Sequence, residues 1–135
     1  MTRVVVSGAG LVGMVVAALH LVTERFVIDG SSMLPTLSPG DRVLAVRWPV
    51  LEAGDIVAFR DPEARERVLV KRIAALQALA IEVLGDNPSA SRDSRHFGPV
   101  SRRDVVGRVV YRYHPAGHAG RVAEQVRSGS TQEWQ

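Results

Sequence analysis

Few residue types in this chain could carry a reaction. Its 135 residues include 17 Lys plus Arg, and only one of them, Lys71, is lysine. Lys71 sits inside the apolar run VLVKRIA. Arginine does not release its proton at usable pH, whereas a buried lysine can. That contrast suggests a general base. The plainer alternative is biased coding that left one lysine on a solvated strand face. There is no Cys, which removes cysteine nucleophiles, thiolate zinc sites and disulfides together. Candidate hydroxyls lie in SSMLPTLSPGD, residues 31–41. Pro35 and Pro39-Gly40 stiffen this loop, and Met33, Leu34 and Leu37 supply apolar anchors. A lone serine there would be an ordinary turn residue; with a base to take its proton it becomes a nucleophile. The histidines are His20, His96, His114 and His118, and none has an acidic residue beside it in sequence to orient it. A Ser-His-Asp triad is thereby disfavoured, although distant residues can meet in a fold. A Ser-Lys dyad is a known variant of the same logic, and only Lys71 could serve in it.

The pattern around these residues is β-type. Residues 41–47 (DRVLAVR), 55–60 (DIVAFR), 67–76 (RVLVKRIAAL), 80–84 (AIEVL) and 105–114 (VVGRVVYRYH) read as strands from their Val and Ile content and near-alternation. Alternation places Lys71 on one face with Leu69, Ile73 and, at the far end, Arg67, and turns Arg72 to the other face with Val68 and Val70. The lysine thus has an apolar local setting. Residues 85–104, GDNPSASRDSRHFGPVSRRD, carry loop chemistry, and long ordered loops are often functional. The stretch beyond Pro115 is rich in Gly, Ser and Gln and reads as a mobile tail.

The N-terminus differs. Residues 4–22, VVVSGAGLVGMVVAALHLV, hold 19 positions with only Ser7 and His20 polar. As a helix they would span about 28 Å, close to a hydrocarbon core of about 30 Å. A cleaved signal peptide is the competing reading, but its apolar region is usually shorter and no A-x-A site follows. Arg3 before the helix weakly favours a cytoplasmic N-terminus, with the body on the extracytoplasmic side. Ala9, Gly13 and Ala17 repeat every fourth position, as in a helix-pairing face or simply a slim helix in lipid. The formal charge of +3 is modest and the arginines are scattered singly, so nucleic acid is not an expected partner. The expected organisation is an anchor over residues 1–25, a catalytic core over 26–115 and a flexible polar tail over 116–135. The expected fold class is mainly β: a compact domain of short antiparallel strands after one transmembrane helix.

Five segments occur in a telling order: GSSMLPTL, GDRVLAVR, GDIVAFRDP, VLVKRIA and GDNPSASRDSRHFGPV. Together they resemble the sequence boxes of the type I signal peptidases, Ser-Lys membrane proteases that include the mitochondrial inner-membrane peptidases. The resemblance spans residues 28–113 plus the preceding anchor. It implies Ser32, just before Met33, as nucleophile and Lys71 as general base. It implies Ser91 as the serine that positions the lysine, and Asp93 with Arg95 as a structural ion pair. It implies an extended peptide lying as a strand between the nucleophile loop and the lysine strand, with Ile28, Asp29, Met33, Leu37, Leu69 and Val70 along shallow pockets. Asp29 is less apolar than such a wall should be. Small residues would be favoured at the first and third positions before the cut. The Ser32 N–H fits as an oxyanion donor. Some members add a hydroxyl two residues earlier, where this chain has Gly30, so that donor is missing or supplied otherwise, with the Ser31 hydroxyl one candidate. No metal or cofactor is implied.

Only 13 residues separate Lys71 from Gly85, where larger bacterial members insert a β domain. A minimal catalytic core is therefore expected. It would cleave signal peptides or propeptides from exported precursors at the bilayer, as a single-pass membrane protein. The alternative is a maturation protease with one substrate, as in relatives that trim the nickel superoxide dismutase propeptide. Two rivals lie further off. A self-cleaving Ser-Lys regulator should carry a DNA-binding segment in place of an anchor. A silent membrane-tethered β module has no reason to keep Ser32, Lys71 and Ser91 together.

Overall fold

The computed structural model describes residues 8–122. An N-terminal helix, α1 (Gly8–Val22), leads directly into β1 (Thr23–Val27). Then follow β2 (Arg42–Val46), β3 (Ile56–Asp61), β4 (Ala64–Leu76), β5 (Ala80–Leu84), a one-turn helix α2 (Ser94–Phe97), β6 (Val100–Ser101), β7 (Val105–His114) and β8 (Gly120–Arg121). All pairings are antiparallel, and they form one sheet in the order β1-β2-β7-β3-β4-β5-β6, with β8 added to β7. The fold is mainly β, as the alternating runs require.

Strand β3 is the most enclosed: only Arg60 is exposed along it. Ile56 packs into a first core with Ile28, Met33, Leu37, Val43, Ala45, Val109 and Val122. Val57 and Phe59 face a second core with Ile73, Ile81, Val83 and Val100. A strand with apolar residues on successive positions must be covered on both sides, and IVAF is such a run. The first core anchors the loop after β1, and the second backs β4 and β5. One row of paired residues crosses five strands: Thr23, Val46, Arg108, Val57 and Lys71. It ties the position of the lysine to the end of α1.

Several expectations need correction. Strand β1 was not expected: it pairs with β2 along its length, so the sheet begins at Thr23, inside the expected anchor. The segment 85–104, expected as a long loop, holds short elements of its own: two 3-10 turns, α2 and β6 occupy much of it. The folded chain also continues past residue 115. Beyond it β8 pairs with β7 and Val122 is buried in the first core; the rest of the expected tail, residues 123–135, lies outside the described residues. Helix α1 spans 15 residues, about 22 Å. Among the described residues no helix is long and apolar enough to cross a membrane. Residues 4–7 of the expected span lie outside the described residues. Within α1 no residue is buried.

Candidate active site

Ser32 and Lys71 arrive from opposite cores. Lys71 lies on β4 directly across from Val57 and is 4% exposed. Burial among apolar neighbours pushes its amine below the usual lysine value, and the guanidinium charges of Arg92 and Arg95 push the same way. The carboxylates of Asp93 and Asp61 pull in the opposite direction without reversing the shift. Ser32 lies on the turn after β1, between Gly30 and the core residue Met33. Gly30 has φ +76°, a left-handed conformation that glycine adopts without steric cost; it lets the chain turn sharply from β1 into the loop.

Both residues line one groove of about 410 Å3. One wall is formed by residues 27–30 with Ser32 and Met33, the other by residues 67–71. Among the described residues no hydrogen bond joins the Ser32 hydroxyl to the Lys71 amine, and such contacts commonly tighten only when substrate is bound. The Ser32 N–H donates to no protein acceptor among the described residues.

Of the residues expected along the groove, Ile28, Asp29, Met33, Leu69 and Val70 line it. Leu37 does not: it is fully buried in the first core, holding the loop from beneath. Gly30 is on the lining and Ser31 is not. The Ser31 carbonyl instead accepts a hydrogen bond from Asn87 Nδ2 at 3.1 Å. Val27, Arg67 and Val68 also line the groove, and the sequence reading did not name them as wall residues. The strand period alone could have proposed Arg67, which shares the Lys71 face.

Ser91, Asp93 and Arg95 form a knot behind the lysine. The Ser91 hydroxyl donates to Asp93 Oδ2 at 2.7 Å, and the Gly85 N–H donates to the same oxygen at 2.9 Å. Arg95 forks across the carboxylate, Nε to Oδ1 at 2.9 Å and Nη2 to Oδ2 at 3.0 Å. Asp93 is fully buried. Burial alone would raise its pKa, but the bonds from Arg95, Gly85 and Ser91 outweigh it and hold the carboxyl well below the usual range. Asp93 also caps α2, accepting from the Arg95 N–H at 3.2 Å.

The residues just before this knot open the last sequence box, where they carried no assigned role. A Cβ built on Gly85 would lie against the Ser91 hydroxyl, 2.5 Å from Ser91 Cβ and 2.7 Å from the Ser32 carbonyl oxygen. Only glycine fits where these segments meet. Asp86 accepts from Thr36 Oγ1 at 2.6 Å on the serine side and from Arg72 Nε and Nη2 at 2.8 and 2.7 Å on the lysine strand. The Asn87 N–H donates to the Ser32 carbonyl at 2.9 Å. GDN thus bridges the Ser32 loop and the lysine strand. A Gly-Asp-Asn run in a polar loop also reads as an ordinary turn, so its bridging role has no local signature. Further back, the buried pair of Arg112 and Asp41 (2.9 Å) holds the loop again, since Arg112 Nη1 also donates to the Thr36 carbonyl at 3.0 Å.

The chain matches the signal peptidase family, peptidase S26, over residues 1–83 and 78–114. It is 34% identical over 120 residues to the mitochondrial ATP-independent inner membrane protease subunit 1a of Arabidopsis thaliana, covering 69% of this chain and 71% of that protein. The chain belongs to the signal peptidase family. Family relatives extend beyond plants. Mitochondrial inner membrane protease subunit 2 of Schizosaccharomyces pombe is 32% identical over 120 residues, covering 70% of this chain and 67% of its own length. The probable signal peptidase I-1 of Synechocystis is 25% identical over 162 residues, covering 83% of each chain. Family membership makes this chain a peptidase and accounts for the order of its sequence boxes.

Proposed function

We propose that this signal peptidase family member is a membrane-anchored serine endopeptidase that works through a Ser32–Lys71 dyad. One observation carries the reading: the sole lysine is buried, its amine is shifted toward the neutral form, and it lines the same groove as Ser32. The groove walls are extended segments, suited to a peptide lying between them as a strand. In the reaction, Ser32 Oγ attacks the scissile carbonyl carbon while its proton passes to the neutral Lys71 amine. The carbonyl oxygen takes the negative charge, facing the free Ser32 N–H. As the tetrahedral intermediate collapses, the Lys71 ammonium protonates the leaving amine and is neutral again. Water then gives a proton to Lys71 and attacks the acyl-enzyme. The proton returns to Ser32 Oγ as the acid product leaves. Ser91, fixed by its bond to Asp93, is a positioning residue for the amine. Ser31 has no place in this scheme as oxyanion donor, because it is off the groove lining.

Helix α1 with the apolar residues before it is the single-pass anchor. A helix apolar on every side with no buried residue suits lipid. Because Lys71 shares a row with Thr23, the site would work near the membrane surface, and Arg3 ahead of the helix favours the extracytoplasmic side for the body. Substrates are precursor polypeptides with a signal peptide or propeptide, cut after small residues. Detergent-solubilised protein with a synthetic A-x-A precursor tests this: cleavage in trans should occur and be lost in Ser32→Ala and Lys71→Arg. An active Lys71→Arg variant would refute the mechanism, because arginine cannot serve as the base. Supplying two unrelated precursors separates a general processing enzyme from one with a dedicated substrate.

A further inference from the structure

Besides Lys71, only Asp29 and Arg67 carry a charge among the residues that line the groove. They stand on opposite walls, Asp29 on the segment before Ser32 and Arg67 on β4. Both are exposed. Neither takes part in an ion pair among the described residues, and they do not pair with each other. An unpaired charge is ordinary on an open surface. These two instead rim a groove whose remaining wall residues are mostly apolar, and the proposed substrate must pass between them.

Two features of the walls fix what each charge would meet. The first is a free edge. Strand β5 pairs with β4 only from Arg72 onward, so over residues 64–71 the edge of β4 away from β3 has no strand partner. An extended peptide can add to that edge and advance in step with β4. Arg67 precedes Lys71 by four positions, about 13 Å along the strand. It therefore lies beside the peptide residue four positions from the scissile bond. The second feature is burial. Ile28 and Met33, 6% and 1% exposed, form the floor of the groove, while Asp29 and Arg67 stand at its open rim. Successive side chains of a peptide strand point to opposite sides. When the small first and third residues before the cut face the floor, the second and fourth face the rim. The second lies nearest Asp29, which at most about 10 Å of chain separates from Ser32.

We propose that Asp29 and Arg67 are specificity-determining residues that select precursors by charge: a basic side chain at the second residue before the cut, against Asp29, and an acidic one at the fourth, against Arg67. The proposal rests on the protease reading for the place of the cut and adds a substrate class to it. It accounts for the one acidic residue in an otherwise apolar stretch of wall. Both charges are open to water, so each contributes discrimination between substrates rather than tight binding.

The test gives the detergent-solubilised full chain synthetic peptides with alanine at the first and third positions before the cut, and Lys, Gln or Glu at the second and fourth. Values of kcat/KM should favour Lys over Glu at the second position and Glu over Lys at the fourth, each by roughly fivefold. Both preferences should fade at high salt. Asp29→Lys should invert the preference at the second position and keep that at the fourth; Arg67→Glu should do the opposite. Each preference is a ratio within one protein, so a partly unfolded variant does not distort it. Equal rates for all charge combinations, or preferences unmoved by both substitutions, would overturn the proposal. So would an Asp29→Asn, Arg67→Gln double variant that cuts every peptide faster by the same factor, because that marks a latch across the empty groove. Binding of the same peptides, fluorescently labelled, to the Ser32→Ala variant reads the charge preference without chemistry. Ranked binding with no cleavage by the parent chain would sink the Ser-Lys mechanism and leave the charge selection standing. Unranked or absent binding would sink the charge selection, whatever the parent chain cleaves.

Discussion

Ser32 and Lys71 face the same groove but are held there by different physics. Lys71 rides a regular strand. Its place follows from β4 pairing with β3, Lys71 opposite Val57, and from the pleat that puts it on the second-core face. Ser32 rides a loop. Met33 and Leu37 pin that loop into the first core, and polar contacts from distant parts of the chain set its height. Asn87 holds two successive carbonyls, those of Ser31 and Ser32; Asp86 holds Thr36, and Arg112 holds the Thr36 carbonyl. The proposed base needs burial, which a sheet supplies. The proposed nucleophile needs freedom for its hydroxyl, and the fold fixes the Ser32 backbone while leaving its side chain at the groove.

Removing the base should have the largest effect on cleavage and a small effect on folding. Lys71→Met should lower kcat/KM by about a thousandfold or more, with an unchanged or higher melting temperature, since a buried amine is replaced by an apolar chain of similar length. Unfolding of the Lys71→Met variant would show that the lysine is structural and erase the contrast. Gly85→Ala strikes both carriers at once. The new methyl must displace Ser91 or the Ser32 carbonyl, at a stability cost of about 1–3 kcal/mol and with activity down about a hundredfold from misplacement. Calorimetry beside kinetics separates the two losses.

Asn87→Ala touches only the serine side. It removes the side-chain bond to the Ser31 carbonyl and keeps the backbone bond to Ser32. About 1 kcal/mol of stability should go, with kcat falling roughly tenfold and the pH profile unmoved. A shifted pH profile would mean that Asn87 acts through the lysine instead. The smallest effect is expected from Arg92→Gln, on the lysine side. The Arg92 charge lowers the Lys71 pKa, and Arg92 also neutralises Asp61 and Glu63 at 2.6 and 2.7 Å. Without it the amine keeps its proton to higher pH. The proposed mechanism requires the neutral amine, so the rising limb of kcat/KM should move to higher pH. Movement to lower pH would contradict the electrostatic account of the site.

The same contrast explains what could be read in advance. Strands β2, β3, β5 and β7 follow from local alternation and β-branched content, and their ends fall within a residue of those expected. Lys71 stood out because it is chemically unlike every other cation in the chain. The short spacing from Lys71 to Gly85 marked a minimal core, and only the end of β4, a turn and β5 fill it. Strand β1 was missed because TERFV is short and mostly polar, and it is a strand only through its pairing with β2. Strands β6 and β8, two residues each, carry no pattern at all. The tie from Asn87 to Ser31 spans 56 positions, and that from Arg112 to Thr36 spans 76. Contacts at such separations leave no periodicity to detect. Leu37 was misjudged for a related reason: an apolar residue on a loop can face a groove or the core, and only packing decides.

The row from Thr23 to Lys71 has one more consequence. With α1 as the anchor proposed above, these five paired strands fix the distance between the membrane exit and the amine, and the enzyme would measure its substrate as a gauge block does. A precursor with extra residues spliced between its apolar segment and its scissile bond would slide past the groove, uncut, however well its side chains matched.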